Sequence, residues 1–91
     1  MSEQLWGVFF RDSGEEYLVE TTQSEGEAHA VAQELDAESF QGALDDYYDT
    51  GVGAEPAWAD FDGMHFVEPI SEELAAEAAE KLARGHVVRV K

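Results

Sequence analysis

One uninterrupted run of acidic residues constrains this chain more than any other feature of its sequence. Between Asp12 and Glu80 there are 20 aspartates and glutamates and no lysine or arginine, and the 91 residues together carry a formal net charge of −16. Ionised carboxylates are rarely buried unless they have a partner. A folded form must therefore place most of them on its surface, around a core drawn from the 44% of residues that are apolar.

This charge excludes some function classes. Nucleic acids and anionic membranes attract proteins through lysine and arginine, so we expect no direct binding to nucleic acid and none to a membrane. No apolar run approaches the ~20 residues of a membrane-spanning helix. Because the sequence has no cysteine and begins without a signal-like segment, we expect a cytoplasmic protein.

The first half of the chain predicts a hairpin followed by two helices. Residues 5–10 and 17–22 are rich in aromatic and β-branched side chains, and a turn-forming segment separates them. Ser24 opens a capping box that predicts the start of a helix, and apolar residues at helical spacing continue to Leu35. The same spacing from Phe40 predicts a second, shorter helix that ends before Gly51.

The second half predicts another hairpin, a third helix and a last strand. Asp62-Gly63 suits a two-residue turn between strands at 57–61 and 64–68, a register that places Asp60 opposite His65 on the outer face. Ser71 is predicted to cap a helix that ends at the glycine at position 85, and residues 86–90 are predicted to form the last strand.

These elements together predict one α+β domain over residues 1–91. Its order is β-hairpin, two helices, β-hairpin, helix, strand, and the expected architecture is an antiparallel or mixed sheet with helices on one face.

Catalytic and metal-binding patterns are weak, so we expect no enzyme activity, no cofactor and no metal site. Asp60, Asp62 and Gly63 begin like a calcium loop, but the later ligand positions fail. The three histidines are scattered over different predicted elements with no cysteine beside them, which does not suit zinc. No nucleophile elbow or glycine-rich phosphate loop is present.

A partner surface is the more informative hypothesis. Adjacent residues Tyr47 and Tyr48 differ by about 100° around a helix, so both cannot face one core and one must be exposed. Aromatic side chains among carboxylates are typical anchors for a basic protein. The candidate surface comprises Asp45, Asp46, Tyr48, Asp49, Trp58, Asp60 and His65.

The best interpretation is a non-enzymatic acidic module that binds a protein or has a regulatory role, with a basic protein as its partner. The acid coat also suits adaptation to high salt, since the composition, with thirteen alanines and no asparagine, is typical of a high-GC genome.

Three alternatives remain open. In composition rather than in a motif, residues 38–63 resemble acidic antirestriction proteins, and this resemblance implies mimicry of DNA as an inhibitor of a nucleic-acid-binding protein. A small-molecule-binding domain is a second alternative. A homodimer through the edge of the C-terminal strand is the third.

Overall fold

The fold is a four-stranded antiparallel sheet with one helix on each face, in a computed structural model that describes residues 4–90. The α+β class is confirmed, and the order of strands and helices roughly matches the prediction. The sheet order is β3-β1-β2-β4. The elements are β1 (Leu5–Asp12), β2 (Glu15–Thr22), α1 (Glu25–Thr50), a 3₁₀ turn (Trp58–Asp60), β3 (His65–Ile70), α2 (Glu72–Ala83) and β4 (Val88–Arg89).

The predicted N-terminal hairpin is confirmed. Strands β1 and β2 pair in antiparallel register from Trp6 to Asp12, and Ser13 and Gly14 connect them. Both connecting residues have positive φ, 51° and 84°, as a tight two-residue hairpin turn requires. The register shifts between Val8 and Phe9, where β2 has one more residue than β1.

The two helices cover opposite faces of the sheet, so the expectation of helices on one face is wrong. Val8 packs with Ala28 and Ala32 of α1, whereas its neighbour Phe9 packs with Ala78 of α2. Successive residues of a strand point to opposite faces. Because Val8 and Phe9 are both buried, β1 is apolar on both sides and each side needs its own helix.

The two helices predicted between Ser24 and Gly51 are a single helix of 26 residues. Its ends are as predicted: the Ser24 hydroxyl accepts a hydrogen bond from the Glu27 backbone amide at 3.1 Å, and Gly51 terminates it at φ 68°. The apolar stripe shifts around the helix between Leu35 and Phe40, and that shift suggested a break. It reflects a change in what the helix packs against.

The second predicted hairpin is also wrong in part. The strand predicted at 57–61 is absent from the described residues, where the 3₁₀ turn (Trp58–Asp60) lies instead, and β3 pairs with β1. Phe66 consequently lies opposite Phe9, with the two rings stacked at 5.4 Å between centroids. Pairing with the long strand β1 buries more apolar surface than a short local hairpin can, because Phe66 then joins the α2 side of the core.

The C-terminal elements follow the prediction. The Ser71 hydroxyl accepts a hydrogen bond from the Leu74 amide at 3.0 Å and caps α2, whose last turn carries Lys81. Strand β4 is only two residues long and pairs with Tyr17 and Leu18. Neither helix within residues 4–90 has the length and apolar character needed to cross a membrane.

Candidate functional site

The second half of α1 and the chain that follows it form a structure that we call the arm, residues 37–64. The α1 residues in the core on the sheet all lie in its first half, up to Leu35. Beyond that point the helix packs against the returning segment, as Phe40 does by contacting both Trp58 and Phe61. The molecule is elongated, with extents of 52 × 23 × 23 Å.

Aromatic rings hold the arm together while leaving some of their surface in solvent. Phe40 lies 5.6 Å from Trp58 in an edge-on arrangement and 5.5 Å from Phe61. Trp58 is nevertheless 42% exposed, and Tyr48 is 69% exposed. The prediction that one of Tyr47 and Tyr48 is exposed is confirmed, since Tyr47 is half-buried. The arm therefore presents aromatic surface to solvent.

Asp36 fastens the base of the arm. Its carboxylate is only 3% exposed and accepts hydrogen bonds from the backbone amides of Gly63 and His65, at 3.1 and 2.9 Å. It also lies 2.7 Å from Nδ1 of the His65 ring. We call these three contacts the Asp36 latch. It joins the middle of α1 to the start of β3 and fixes where the returning segment ends.

The outer face of α1 carries a row of exposed carboxylates. Their spacings of seven and four residues place all five side chains within about 60° around the helix axis. The row spans about 33 Å at 1.5 Å per residue. We call this set the carboxylate ladder: Glu27, Glu34, Glu38, Asp45 and Asp49, all exposed.

The acids at the C-terminal end of α1 work against the helix. Carboxylates near a helix C-terminus face its negative end, at a cost of about 0.3–1 kcal/mol each. The last turn of α1 has no basic residue, and it contains Asp49. Helix α2 has the favourable arrangement of charge, with two acids in its first turn and Lys81 in its last. Stability alone does not account for the placement of Asp49.

A contact within the arm shifts the pKa of Tyr48. The hydroxyl of Tyr48 donates a hydrogen bond to Oε1 of Glu55 at 2.6 Å. This hydrogen bond, together with repulsion between the Glu55 carboxylate and a tyrosinate, raises the pKa of Tyr48 above its ordinary value. The contact links the end of α1 to the returning segment, so Tyr48 is held in place at its hydroxyl while most of its side chain stays in solvent.

The structure brings six of the seven predicted surface residues onto the arm. Asp45, Asp46, Tyr48 and Asp49 are exposed on α1, and Trp58 and Asp60 are exposed on the 3₁₀ turn (Trp58–Asp60). His65 does not join them. Its predicted pairing with Asp60 as an exposed cross-strand neighbour is wrong, because β3 pairs with β1 and the His65 ring contacts Asp36 and Phe10.

Three ladder residues and Asp36 were missed by reasoning from the sequence. The 7-4-7-4 spacing from Glu27 to Asp49 is visible in the sequence, but it forms a row only if the helix is continuous. Asp36 has no local signal of burial in the sequence. It and Glu16, which is 8% exposed, are the two buried acids among residues 4–90.

Two cavities lie away from the arm. One, of about 240 Å³, lies between the α2 face of the sheet and the start of α2, and Phe9 and Ile70 are among the residues that line it. The other, of about 400 Å³, lies beside β2, between Thr21 and Leu82.

Within the described part of the chain, no group of three or more His, Cys, Asp or Glu is arranged to hold a metal ion.

We expect the melting temperature to rise as KCl is increased from 10 mM to 1 M. The screening length falls from about 30 Å to about 3 Å over this range, which weakens repulsion among the exposed carboxylates. A gain of 1 kcal/mol corresponds to roughly 4–8 °C in a domain of this size. Differential scanning fluorimetry measures the shift.

Sucrose is the control for this salt series, because it favours compact states without screening charge. Neutralising the five ladder residues to Gln and Asn should flatten the KCl response while leaving the sucrose response unchanged. A melting temperature that stays flat or falls with KCl contradicts the expectation.

No known protein family matches the chain, and no curated protein or solved structure is detectably similar to it.

Proposed function

We propose that this protein is an acidic binding module that holds a basic protein along the outer face of α1. The observation that carries the proposal is the carboxylate ladder: five exposed carboxylates in one row about 33 Å long, with no lysine or arginine between Asp12 and Glu80 to neutralise them. Such a surface steers a basic partner during encounter and fixes its register.

Two features of the arm support binding rather than solubility alone. Asp49 in the last turn of α1 lowers the stability of the helix. Residues that are unfavourable for the local structure are expected at functional surfaces. Tyr48 and Trp58 add exposed aromatic surface next to these acids. Aromatic residues are enriched in the buried centres of protein interfaces, and charged groups are found around them.

The test compares two variants of equal net charge. The ladder variant carries E27Q, E34Q, E38Q, D45N and D49N. The control variant carries D12N, E20Q, E68Q, E73Q and E77Q, which remove five exposed carboxylates from other surfaces. A fluorescein-labelled octa-arginine peptide serves as the basic probe, and fluorescence anisotropy at several KCl concentrations gives the affinity.

The ladder variant should bind the probe at least about tenfold more weakly than the wild-type protein, and the control variant less than about threefold more weakly. The slope of log affinity against log salt should fall only for the ladder variant. Equal losses in the two variants would show that affinity follows net charge alone, and the acid coat would then be adaptation to salt.

Mimicry of DNA is the second candidate, and the shape of the molecule favours it. The protein is 52 Å long, and B-DNA of that length carries roughly 30 phosphate charges against the 16 net negative charges here. Ladder residues are separated by rises of about 6 and 10.5 Å, which correspond to every second or third phosphate along one strand.

Competition with DNA separates the two candidates. The immobilised protein is used to capture basic proteins from cell extract, and a 15-base-pair duplex is then added. A mimic and the duplex would occupy the same groove of the partner, so the duplex should release it. A partner that stays bound while it holds the duplex supports a module for another basic surface.

Self-association through β4 remains a separate prediction. Strand β4 lies at one edge of the sheet, and Val87 beside it is 52% exposed. Two copies would each bring a net charge of −16, which opposes association unless salt screens it. Sedimentation at low and high KCl tests the homodimer, and a monomer at both salt concentrations would reject it.

A further inference from the structure

Asp62 and Gly63 form the one Asp-Gly pair of the chain, and both residues are exposed. Bond formation between the Asp62 carboxyl carbon and the backbone nitrogen of Gly63 closes a five-membered succinimide ring. Glycine has no side chain to hinder the approach of its nitrogen, so this reaction is easiest at an Asp-Gly pair. The chain has no asparagine, which is the other residue that forms this ring. Asp62 is therefore the position in the sequence with the strongest tendency to react in this way.

The fold holds this pair in a turn that opposes ring closure. The Met64 amide donates a hydrogen bond to the Phe61 carbonyl at 3.2 Å, and Gly63 has a φ of 82°, as the third residue of a type II turn does. The Gly63 nitrogen, which is the atom that would attack, donates its hydrogen to Oδ2 of Asp36 at 3.1 Å. Attack requires this nitrogen to lose its proton and to rotate toward the Asp62 carboxyl group. Both changes break the contact with Asp36.

The buried position of Asp36 strengthens this protection. Its carboxylate is 3% exposed, and a hydrogen bond to a charged acceptor is stronger than one between neutral groups. A negative charge beside the Gly63 nitrogen also disfavours loss of the amide proton, because the nitrogen would become negative in turn. The same carboxylate accepts from the His65 amide at 2.9 Å, so the segment is held on both sides of Met64.

We propose that Asp62 is a site of isoaspartate formation and that the Asp36 latch controls the reaction. When the latch opens, the Gly63 nitrogen attacks the carbon of the protonated Asp62 carboxyl group. The new C–N bond forms, and the carboxyl hydroxyl group leaves with the amide proton as water. Solvent water then adds to one of the two ring carbonyls and breaks one C–N bond. When the bond to the original backbone carbonyl breaks, the chain runs through the side chain of Asp62.

The product would keep the latch open. The backbone then has one additional carbon atom between the Cα atom of Asp62 and the nitrogen of Gly63. The amides of Gly63 and His65 can no longer reach Asp36 in the geometry that the latch requires. A transient opening at the base of the arm thereby becomes a covalent change that persists. This modification requires no basic partner, so it is independent of the proposed function.

The test measures isoaspartate in the wild-type protein, in Asp36→Ala and in Gly7→Ala during incubation at pH 7 and 37 °C. Chymotryptic peptides 62–66 and 11–17 are compared with synthetic normal and β-linked standards by liquid chromatography and mass spectrometry. Peptide 11–17 contains Asp12, an exposed aspartate followed by serine and outside the latch, and it reports any general unfolding. Gly7→Ala crowds the core on the α2 side and leaves the latch residues unchanged.

In the wild-type protein, Asp62 should convert at least about tenfold more slowly than in a synthetic peptide of residues 58–68. Asp36→Ala should raise the rate at Asp62 at least about tenfold and leave the rate at Asp12 within about twofold. Gly7→Ala should change neither rate by more than about twofold. Asp36→Asn keeps one acceptor oxygen, should give an intermediate rate at Asp62, and replaces Asp36→Ala if that variant does not fold.

The modified protein, separated by ion exchange, should have lost hydrogen-exchange protection at the His65 amide. Retained protection there would overturn the proposal that the product keeps the latch open. An unchanged rate at Asp62 in both Asp36 variants would show that the latch does not control the reaction. Equal increases at Asp62 and Asp12 would assign the effect to general unfolding, and they too would overturn the proposal.

Discussion

Replacing Asp36 by alanine is expected to lower the free energy of unfolding by about 3 kcal/mol, because three donors then lose the buried carboxylate that accepts from them, each at about 1–3 kcal/mol. The donors are the backbone amides of Gly63 and His65 and the His65 ring. A domain of this length has a total stability of roughly 5–14 kcal/mol, so the loss is a large part of it. Urea unfolding followed by tryptophan fluorescence measures the change.

Asp49→Ala is the matched control for Asp36→Ala. It makes the same chemical change on the same helix at an exposed position, and it should leave stability within about 0.5 kcal/mol or raise it slightly, since it removes an acid from the helix C-terminus. Asp36→Asn keeps one acceptor oxygen and should fall between the two. If Asp36→Ala destabilises no more than Asp49→Ala, the latch contributes nothing to folding.

Amide hydrogen exchange locates the effect within the molecule. Loss of the latch should remove protection at Gly63 and His65 while the amides of β1 and β2 retain theirs, because those strands hydrogen-bond to each other independently of Asp36. Uniform loss of protection through the sheet would place the role of Asp36 in the core and not at the base of the arm.

The latch also shows what the sequence can and cannot reveal. The two serine caps and the turn between β1 and β2 depend on neighbours a few residues away, so local patterns predicted the caps at Ser24 and Ser71 and a turn-forming segment between the first two strands. Asp36 and His65 are 29 residues apart, and neither has a local signal for the other. An isolated aspartate on a helix is usually exposed, so the general rule pointed the wrong way for Asp36.

The continuity of α1 was missed for a related reason. Hydrophobic periodicity reports which face of a helix is covered, and α1 is covered by the sheet in its first half and by residues 51–64 in its second. The covered face therefore changes near Asp36, and the pattern imitates a break. Because the members of the carboxylate ladder lie on both sides of the apparent break, the sequence did not predict the ladder as one row. The surface residues Asp45, Asp46, Tyr48 and Asp49 were predicted because they lie together in the second half of α1.

Gly7→Ala is expected to destabilise the protein by about 1–3 kcal/mol through overpacking. A Cβ atom at this position would lie 2.8 Å from the Phe9 ring and 2.9 Å from side-chain atoms of Leu18 and Ile70. All three neighbours are buried in the core on the α2 side of the sheet, so none can move away freely. Urea unfolding gives the magnitude, and the Ile70 methyl signal should shift because its contact changes.

Gly42→Ala isolates the packing contribution to that loss. Position 42 lies in the interior of α1, and a Cβ there meets nothing within 4 Å, so this variant should be more stable by about 0.5–1 kcal/mol through higher helix propensity. Both substitutions restrict the unfolded chain to a similar degree, and the difference between them therefore measures the native state. A difference below about 1 kcal/mol would mean that the sheet accommodates the added methyl group, so that close packing of β1 against Leu18 and Ile70 does not require glycine at position 7.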